Sequence, residues 1–233
     1  MYNNFVAEGD KIIMDLVASK RFEVEFLLYT DRTTIPEHIF LEIPAAQHLK
    51  IPESQMEGIT HFQNASPSYL VLKRPVEQTR CPELTGSYYF YIDRLQDPGN
   101  LGTILRTADW FGIAGILIRP GSVDPYHAKV IQSSMGSIGR VPVFEVELEE
   151  LPSDLPHVKV GLDMQGQDMK DFIWPKQAIF FFGNEGAGLS DEAKQVLDIR
   201  VTISGAAGRG AESLNVAIAA GIVAFSAFAQ GAK

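Results

Sequence analysis

Short apolar runs alternate with stretches of helical periodicity along most of this chain. Near the start, Asn4 to Ala7 reads as a short strand, and Phe22 to Tyr29 and Tyr69 to Leu72 as two more. Between the first two, Lys11 to Ser19 places Ile12, Ile13, Leu16 and Val17 on one face, the spacing of an amphipathic helix. Further on, strands are expected at Tyr88–Ile92, Gly115–Ile118, Val158–Leu162 and Ala178–Phe182. Helices are expected over about Gly102–Phe111, about Tyr126–Ser134, and from about Ser213 to the end. Ala178–Phe182 is apolar throughout, as suits a strand covered on both faces of a parallel sheet. This alternation predicts an α/β fold, a doubly wound parallel sheet with helices on both faces.

The run Pro75–Ser87, with two prolines, a glycine and polar residues, breaks the pattern. It divides the chain into a small α/β domain over 1–75, a linker over 76–87 and a larger domain over 88–233. Cys81 is the only cysteine, so no internal disulfide can form, and no candidate base stands near it in sequence to make it a nucleophile. The start, Met1 to Asn4, has neither a basic nor an apolar segment, so no secretory signal is expected. The longest apolar run, Val216 to Ala229, falls short of the roughly 18–20 residues a membrane span needs. A soluble, cytoplasmic protein is expected, with that run buried or at an interface.

Ligands of doubly wound sheets bind in loops beyond the carboxyl ends of the strands, and three unusual segments fall there. The first, Asp93-Arg94-Leu95-Gln96-Asp97-Pro98-Gly99-Asn100 continuing to Arg106 and Ala108, carries a strand through a Pro-Gly turn into a helix. Asn100 stands where its amide can cap that helix, and Arg106 is expected on its opening turns, facing the same loops. The second, Phe180-Phe181-Phe182-Gly183-Asn184-Glu185-Gly186-Ala187-Gly188, runs three aromatics into a glycine-rich turn holding one carboxylate. Glu185 would repel phosphate, and no lysine follows as in a phosphate-binding loop, so a phosphate cradle is disfavoured. The third passes from Ile203-Ser204-Gly205 through a Gly/Ala-rich loop to Ser213-Leu214-Asn215, where Ser213 can cap the last helix.

In this order and spacing the three segments resemble the signature motifs of the SpoU/TrmH family of SPOUT methyltransferases, over residues 88–233. Asn4 to Lys11 resembles the start of an L30e-like RNA-binding domain. The resemblance implies a C-terminal deep trefoil knot, a homodimer with active sites at the subunit interface, and S-adenosylmethionine as methyl donor, with no metal. It implies donor contacts at Gly183, Glu185, Gly188, Ile203 and Leu214. Arg106, Asn100, Glu185, Ser213 and Asn215 fall on the positions used for catalysis and substrate placement. The implied reaction is methylation of a ribose 2′-hydroxyl of RNA, ribosomal RNA ahead of transfer RNA.

Two departures from the family pattern stand out: the loop Ser204–Glu212 is longer than usual, and Gln132 occupies a place where arginine is frequent. Charge complicates an RNA partner. The net charge is −9; residues 1–75 carry 7 Lys and Arg against 10 Asp and Glu, and the remainder 13 against 19. Contact with a polyanion must then come from local groups such as Lys20, Arg21, Lys73, Arg74 and Arg94. A competing reading is an RNA- or ribosome-binding protein that keeps the fold without efficient methylation. A dinucleotide-binding enzyme is disfavoured, because no G-x-G-x-x-G follows an early strand.

Overall fold

In the computed structural model, which describes residues 3–75 and 81–231, the chain gathers into two units. The first takes β1 (Asn4–Glu8), α1 (Asp10–Ser19), β2 (Val24–Tyr29), α2 (Glu37–Leu41), β3 (His48–Lys50), α3 (Glu53–Ile59) and β4 (Ser68–Lys73). Its sheet runs β1-β4-β2-β3, antiparallel except where β3 joins β2. Helix α1 buries Ile12, Ile13, Leu16 and Val17, the predicted face, and ends on Lys20 in the left-handed region. Phe22 lies outside β2, and β3 was not anticipated, being three residues long with two of them exposed.

The larger part of the chain supplies β5 (Tyr88–Ile92), α4 (Pro98–Phe111), β6 (Gly115–Ile118), α5 (Ala128–Ser134), β7 (Val143–Glu145) and β8 (Val158–Asp168). It continues through β9 (Ala178–Phe182), α6 (Asp191–Val196) and β10 (Ile199–Thr202) to α7 (Val216–Gly231). Residues Asp124–Arg140, which include α5, group with the first unit rather than with their sequence neighbours. Of the linker expected over 76–87, residues 76–80 lie outside the described residues.

The second unit is built on six parallel strands in the order β10-β8-β9-β5-β6-β7. Both faces are covered, as predicted. One face packs Tyr89, Tyr91, Leu117, Ile179 and Phe181 with Ala193 of α6. On the other, Phe90 meets Phe180 and Phe182, and Trp174 packs edge-on against Phe180 while its indole N–H donates to Ser226 of α7. Strand β8 runs well past Leu162, and its pairing with β10 jumps from Gly161–Arg200 to Gln167–Val201, so the intervening residues bulge out of the ladder.

Helix α4 begins four residues earlier than the periodicity suggests. Pro98 opens it, where a proline's fixed φ and missing N–H cost nothing. Asp97, not Asn100, is the cap: its carboxylate accepts the Asn100 N–H at 2.8 Å. The pair read as a turn is therefore the first helical turn, and Asn100 is left free to point its side chain elsewhere. Asp97→Ala should lower stability by about 1 kcal/mol, read as a fall of about 2–4 °C in the thermal midpoint; an unchanged midpoint would remove the cap from this account.

Candidate active site

The loops that follow β5, β9 and β10 converge beyond the carboxyl edge of the sheet, and one line of hydrogen bonds joins them. Asn215 caps α7: its side-chain oxygen accepts the N–H groups of Ala217 at 2.9 Å and Ile218 at 3.3 Å. That leaves its amide nitrogen to donate to Asn100 Oδ1 at 2.9 Å, and Asn100 Nδ2 in turn donates to Glu185 Oε1 at 3.1 Å. Glu185 also accepts the backbone N–H of Asp97 at 3.1 Å and of Gln96 at 3.4 Å. Because backbone donors sit at both ends, neither amide can be flipped without losing a bond. Burial alone would raise the Glu185 carboxyl, but its own N–H, the Asn100 amide and the Asp97 and Gln96 N–H groups hold it below the ordinary glutamate value.

The glycine-rich loop folds back on itself. Asn184 and Gly188 exchange both backbone hydrogen bonds at 2.9 Å, and the Asn184 side-chain oxygen accepts the N–H groups of Gly186 and Ala187. A Cβ on Gly183 would lie 2.1 Å from the Gly188 carbonyl carbon, so nothing but glycine fits there, and the reason is the loop's own backbone. Gly188 adopts φ +69°.

The far end of this loop is held from the sheet. Asp93, buried at the end of β5, accepts the Ser190 N–H at 2.7 Å and Arg119 Nη1 at 3.1 Å, and Arg119 donates to Ser190 Oγ at 2.9 Å. Sequence reasoning passed over Asn184, Asp93, Arg119 and Ser190. The available signal was a charged residue directly after each of two fully apolar strands, β5 and β6.

Hydrogen bonding thus unites Asn100, Glu185 and Asn215, and Gly183 and Gly188 share the Glu185 loop. Arg106 and Ser213 stand apart: both are exposed, their side chains without a hydrogen bond or ion pair to a described residue, and Arg106 lies past the middle of α4 rather than on its opening turns. Ser213 does not cap α7, a role that falls to Asn215. Ile203, half-buried, follows β10 directly, and Leu214 is half-exposed. The long loop between them is tied to β8 where Ser204 Oγ donates to Asp168 at 2.7 Å. Gln132 lies on α5 in the other unit, its side-chain oxygen buried and without a partner among the described residues. No group of three or more metal-ligating side chains occurs among the described residues, and no described helix is long and apolar enough to cross a membrane.

A family model described as the SpoU rRNA Methylase family matches residues 87–225. A Bacillus subtilis relative, 23S rRNA (guanosine(2553)-2'-O)-methyltransferase RlmP, is 30% identical over 233 residues, covering 96% of this chain and 88% of the relative. Among solved structures, the AdoMet-bound rRNA methyltransferase from Sinorhizobium meliloti superposes with a TM-score of 0.85 at 28% identity, over 97% of this chain and 87% of that one. The SpoU methyltransferase AviRb from Streptomyces viridochromogenes, in complex with AdoMet, gives 0.83 at 26% identity, over 98% and 90%.

The lowered Glu185 value makes an acid-side prediction. A carboxyl depressed in the folded state contributes its stability fully above the ordinary glutamate value and loses it as pH falls through the lowered one. Amide-exchange protection at Gln96 and Asp97 should therefore fall on that acid limb, and Glu185→Gln should flatten the dependence. Protection that ignores pH there would disconnect Glu185 from the loop.

Proposed function

The chain belongs to the SpoU rRNA methylase family, and on that premise we propose that it transfers the methyl group of S-adenosylmethionine to a ribose 2′-hydroxyl of RNA, ribosomal rather than transfer RNA. The observation that carries this reading is the Asn215–Asn100–Glu185 line, which draws all three signature segments into one site. The names and titles of the relatives above support the donor and the reaction type.

The residues suit such a donor. The second loop offers exposed glycine backbone at Gly186 and Gly188, with apolar Leu214 and Ile203 on the third segment for the adenosine. A carboxylate held ionised on the same loop is compatible with a cationic sulfonium and hostile to a phosphate. When bound, S-adenosylmethionine supplies an electrophilic methyl group, so the protein's task is to align the ribose hydroxyl and remove its proton. Arg106 takes that task together with an RNA phosphate: the guanidinium orients the pair, since an arginine at its ordinary pKa is no base alone. Asn100, Ser213 and Asn215 supply neutral hydrogen bonds.

The reading includes a homodimer and a C-terminal trefoil knot. The dimer is supported by α7, which has no charged residue and leaves Ile218, Phe225 and Phe228 more than half exposed, and by α4, whose Phe111 packs on Phe225 and Phe228 while Trp110 is 83% exposed. An exposed Arg106 whose side chain has no partner among the described residues suits a site completed by a second subunit. The unit containing 3–75, a mixed sheet with flanking helices, is assigned to RNA binding as an L30e-like domain. A second reading, an RNA-binding protein that methylates poorly, is favoured by the long loop Ser204–Glu212. Calorimetry with the donor, followed by methyl transfer to rRNA from cells lacking this protein, separates the two.

Two outcomes are expected. In solution the protein is a dimer at micromolar concentration, and light scattering that shows a stable monomer contradicts the shared site. Arg106→Ala lowers methyl transfer on the order of 100-fold or more, the cost of a misplaced reacting group, with donor affinity nearly intact. A loss of only a few-fold would take Arg106 out of the chemistry.

A further inference from the structure

A cleft of about 610 Å³ opens on the flank of the glycine-rich loop, lined by the cations Arg94 and Lys194, the acids Asp93, Asp191 and Glu192, and polar groups such as Asn184. Arg94 sits in it with φ +57°, a left-handed backbone conformation that strains an L-residue and that glycine adopts freely. The surroundings enforce this conformation. The Arg94 carbonyl accepts the side-chain amides of Gln96 and Asn184, each at 3.0 Å, and the same Gln96 nitrogen reaches the Gly121 carbonyl at 2.9 Å. The Arg94 carbonyl thereby ties the loops after β5 and β9, and the Gln96 amide links them to the loop after β6, so Arg94 is aimed by its backbone rather than by its own side chain.

The cleft's cations are not equivalent. Lys194 stands 3.7 Å from Asp191, and the cleft's other two acids, Asp93 and Glu192, are met by Arg119 at 3.1 and 3.6 Å. The exposed Arg94 guanidinium has no hydrogen bond or ion pair to a described residue; within the chain its charge only adds, after the Glu192 backbone and Ser190 hydrogen bonds, to holding the Glu192 carboxyl low. A strained position that glycine would relieve thus carries an arginine with no hydrogen bond or ion pair to a described residue, beside the loop that bears Glu185. A strained residue held by its surroundings points to a use for its side chain.

We propose that Arg94 is a substrate-binding residue that takes a phosphodiester of the RNA strand next to the methylated ribose, with the cleft as the strand's path past the glycine-rich loop. The planar guanidinium matches two phosphate oxygens, and in a chain of net charge −9 an exposed cation without an ion pair to a described residue is what a polyanion can find beside the site. This rests on the methyltransferase reading for the identity of the strand, though it requires RNA binding rather than turnover.

The test compares wild type with Arg94→Gly and Arg94→Lys, measuring fluorescence anisotropy of a labelled rRNA fragment over a salt series, donor affinity by calorimetry, and thermal midpoint. Arg94→Gly releases the backbone strain, so it should melt no lower than wild type and bind donor equally. Its RNA affinity should fall roughly tenfold, and its log–log salt slope should lose about one phosphate contact's worth. Arg94→Lys should restore the slope. An unchanged affinity and slope in Arg94→Gly overturns the proposal, as does a loss of donor affinity, which would make Arg94 a loop-holding residue. Wild-type protein that binds RNA with the expected dependence on Arg94 but methylates nothing rejects the enzyme reading and leaves this one standing; wild type that binds no RNA rejects both.

Discussion

The site hangs from the pairing of β5 with β9. These two strands are parallel, in register from Tyr88–Ala178 to Ile92–Phe182, and almost wholly buried. Parallel strands leave a sheet at the same edge, so Asp93 and Gly183, the next residues along each chain segment, emerge side by side, and the Asp93 N–H still pairs with the Phe182 carbonyl. Burial on both faces makes the register costly to change: a one-residue slip would exchange Tyr91 and Phe181, stacked at 4.6 Å, with Phe90, Phe180 and Phe182 of the opposite face. The meeting of Asn100 with Glu185 is a consequence of that register.

From there, charge placed under the surface does what loop backbone cannot. Asp93 and Arg119 have side chains 1% and 8% exposed. Taking both out of water is expensive, and such a pair is tolerated when further hydrogen bonds use up the remaining lone pairs and protons. Ser190 provides them, giving its N–H to Asp93 and its hydroxyl oxygen to Arg119. The same oxygen caps α6 by accepting the Ala193 N–H at 3.1 Å. The glycine-rich loop is thus gripped at its end by a buried ion pair and closed on itself by Asn184 and Gly188. Its shape exists before any ligand arrives, which limits the ordering cost of binding.

How much of this could be read beforehand depended on whether a residue's role was local. Tyr88–Ile92 and Ala178–Phe182 were legible because an unbroken apolar run has few other places to go. Strand β10 was not, since Arg200 and Thr202 make its four residues look like polar linker, and only pairing with β8 turns them into an edge. The start of α4 was hidden because Pro-Gly signals a turn and a first helical turn equally well; the deciding contact is the Asp97 side chain. Ser213 and Asn215 are both good caps by type, and the chain chose the one whose amide could also reach Asn100. Asp93 and Arg119 were illegible for a different reason: alone, each looks like a surface charge, and burial follows from a partner 26 residues away. The joint order of the three segments carried more than any of them singly, because their contacts are tertiary.

The hydrogen-bond line also bears on which group can remove a proton. A carboxylate beside a bound ribose invites the role of general base, and Glu185 is the one carboxylate in the three signature segments that joins the line. Its oxygens, however, already accept the Asn100 amide and the backbone of Asp97 and Gln96. Those bonds lower its pKa, and a lower pKa means a weaker base against a hydroxyl that holds its proton tightly. Protonating Glu185 would also break acceptor contacts that hold Asn100, and through it Asn215, in place. The residue best sited to look like a base is thus the one whose ionisation the site depends on, and on the proposed reading proton removal falls to Arg106 with an RNA phosphate, Arg106 being exposed and without an ion pair to a described residue.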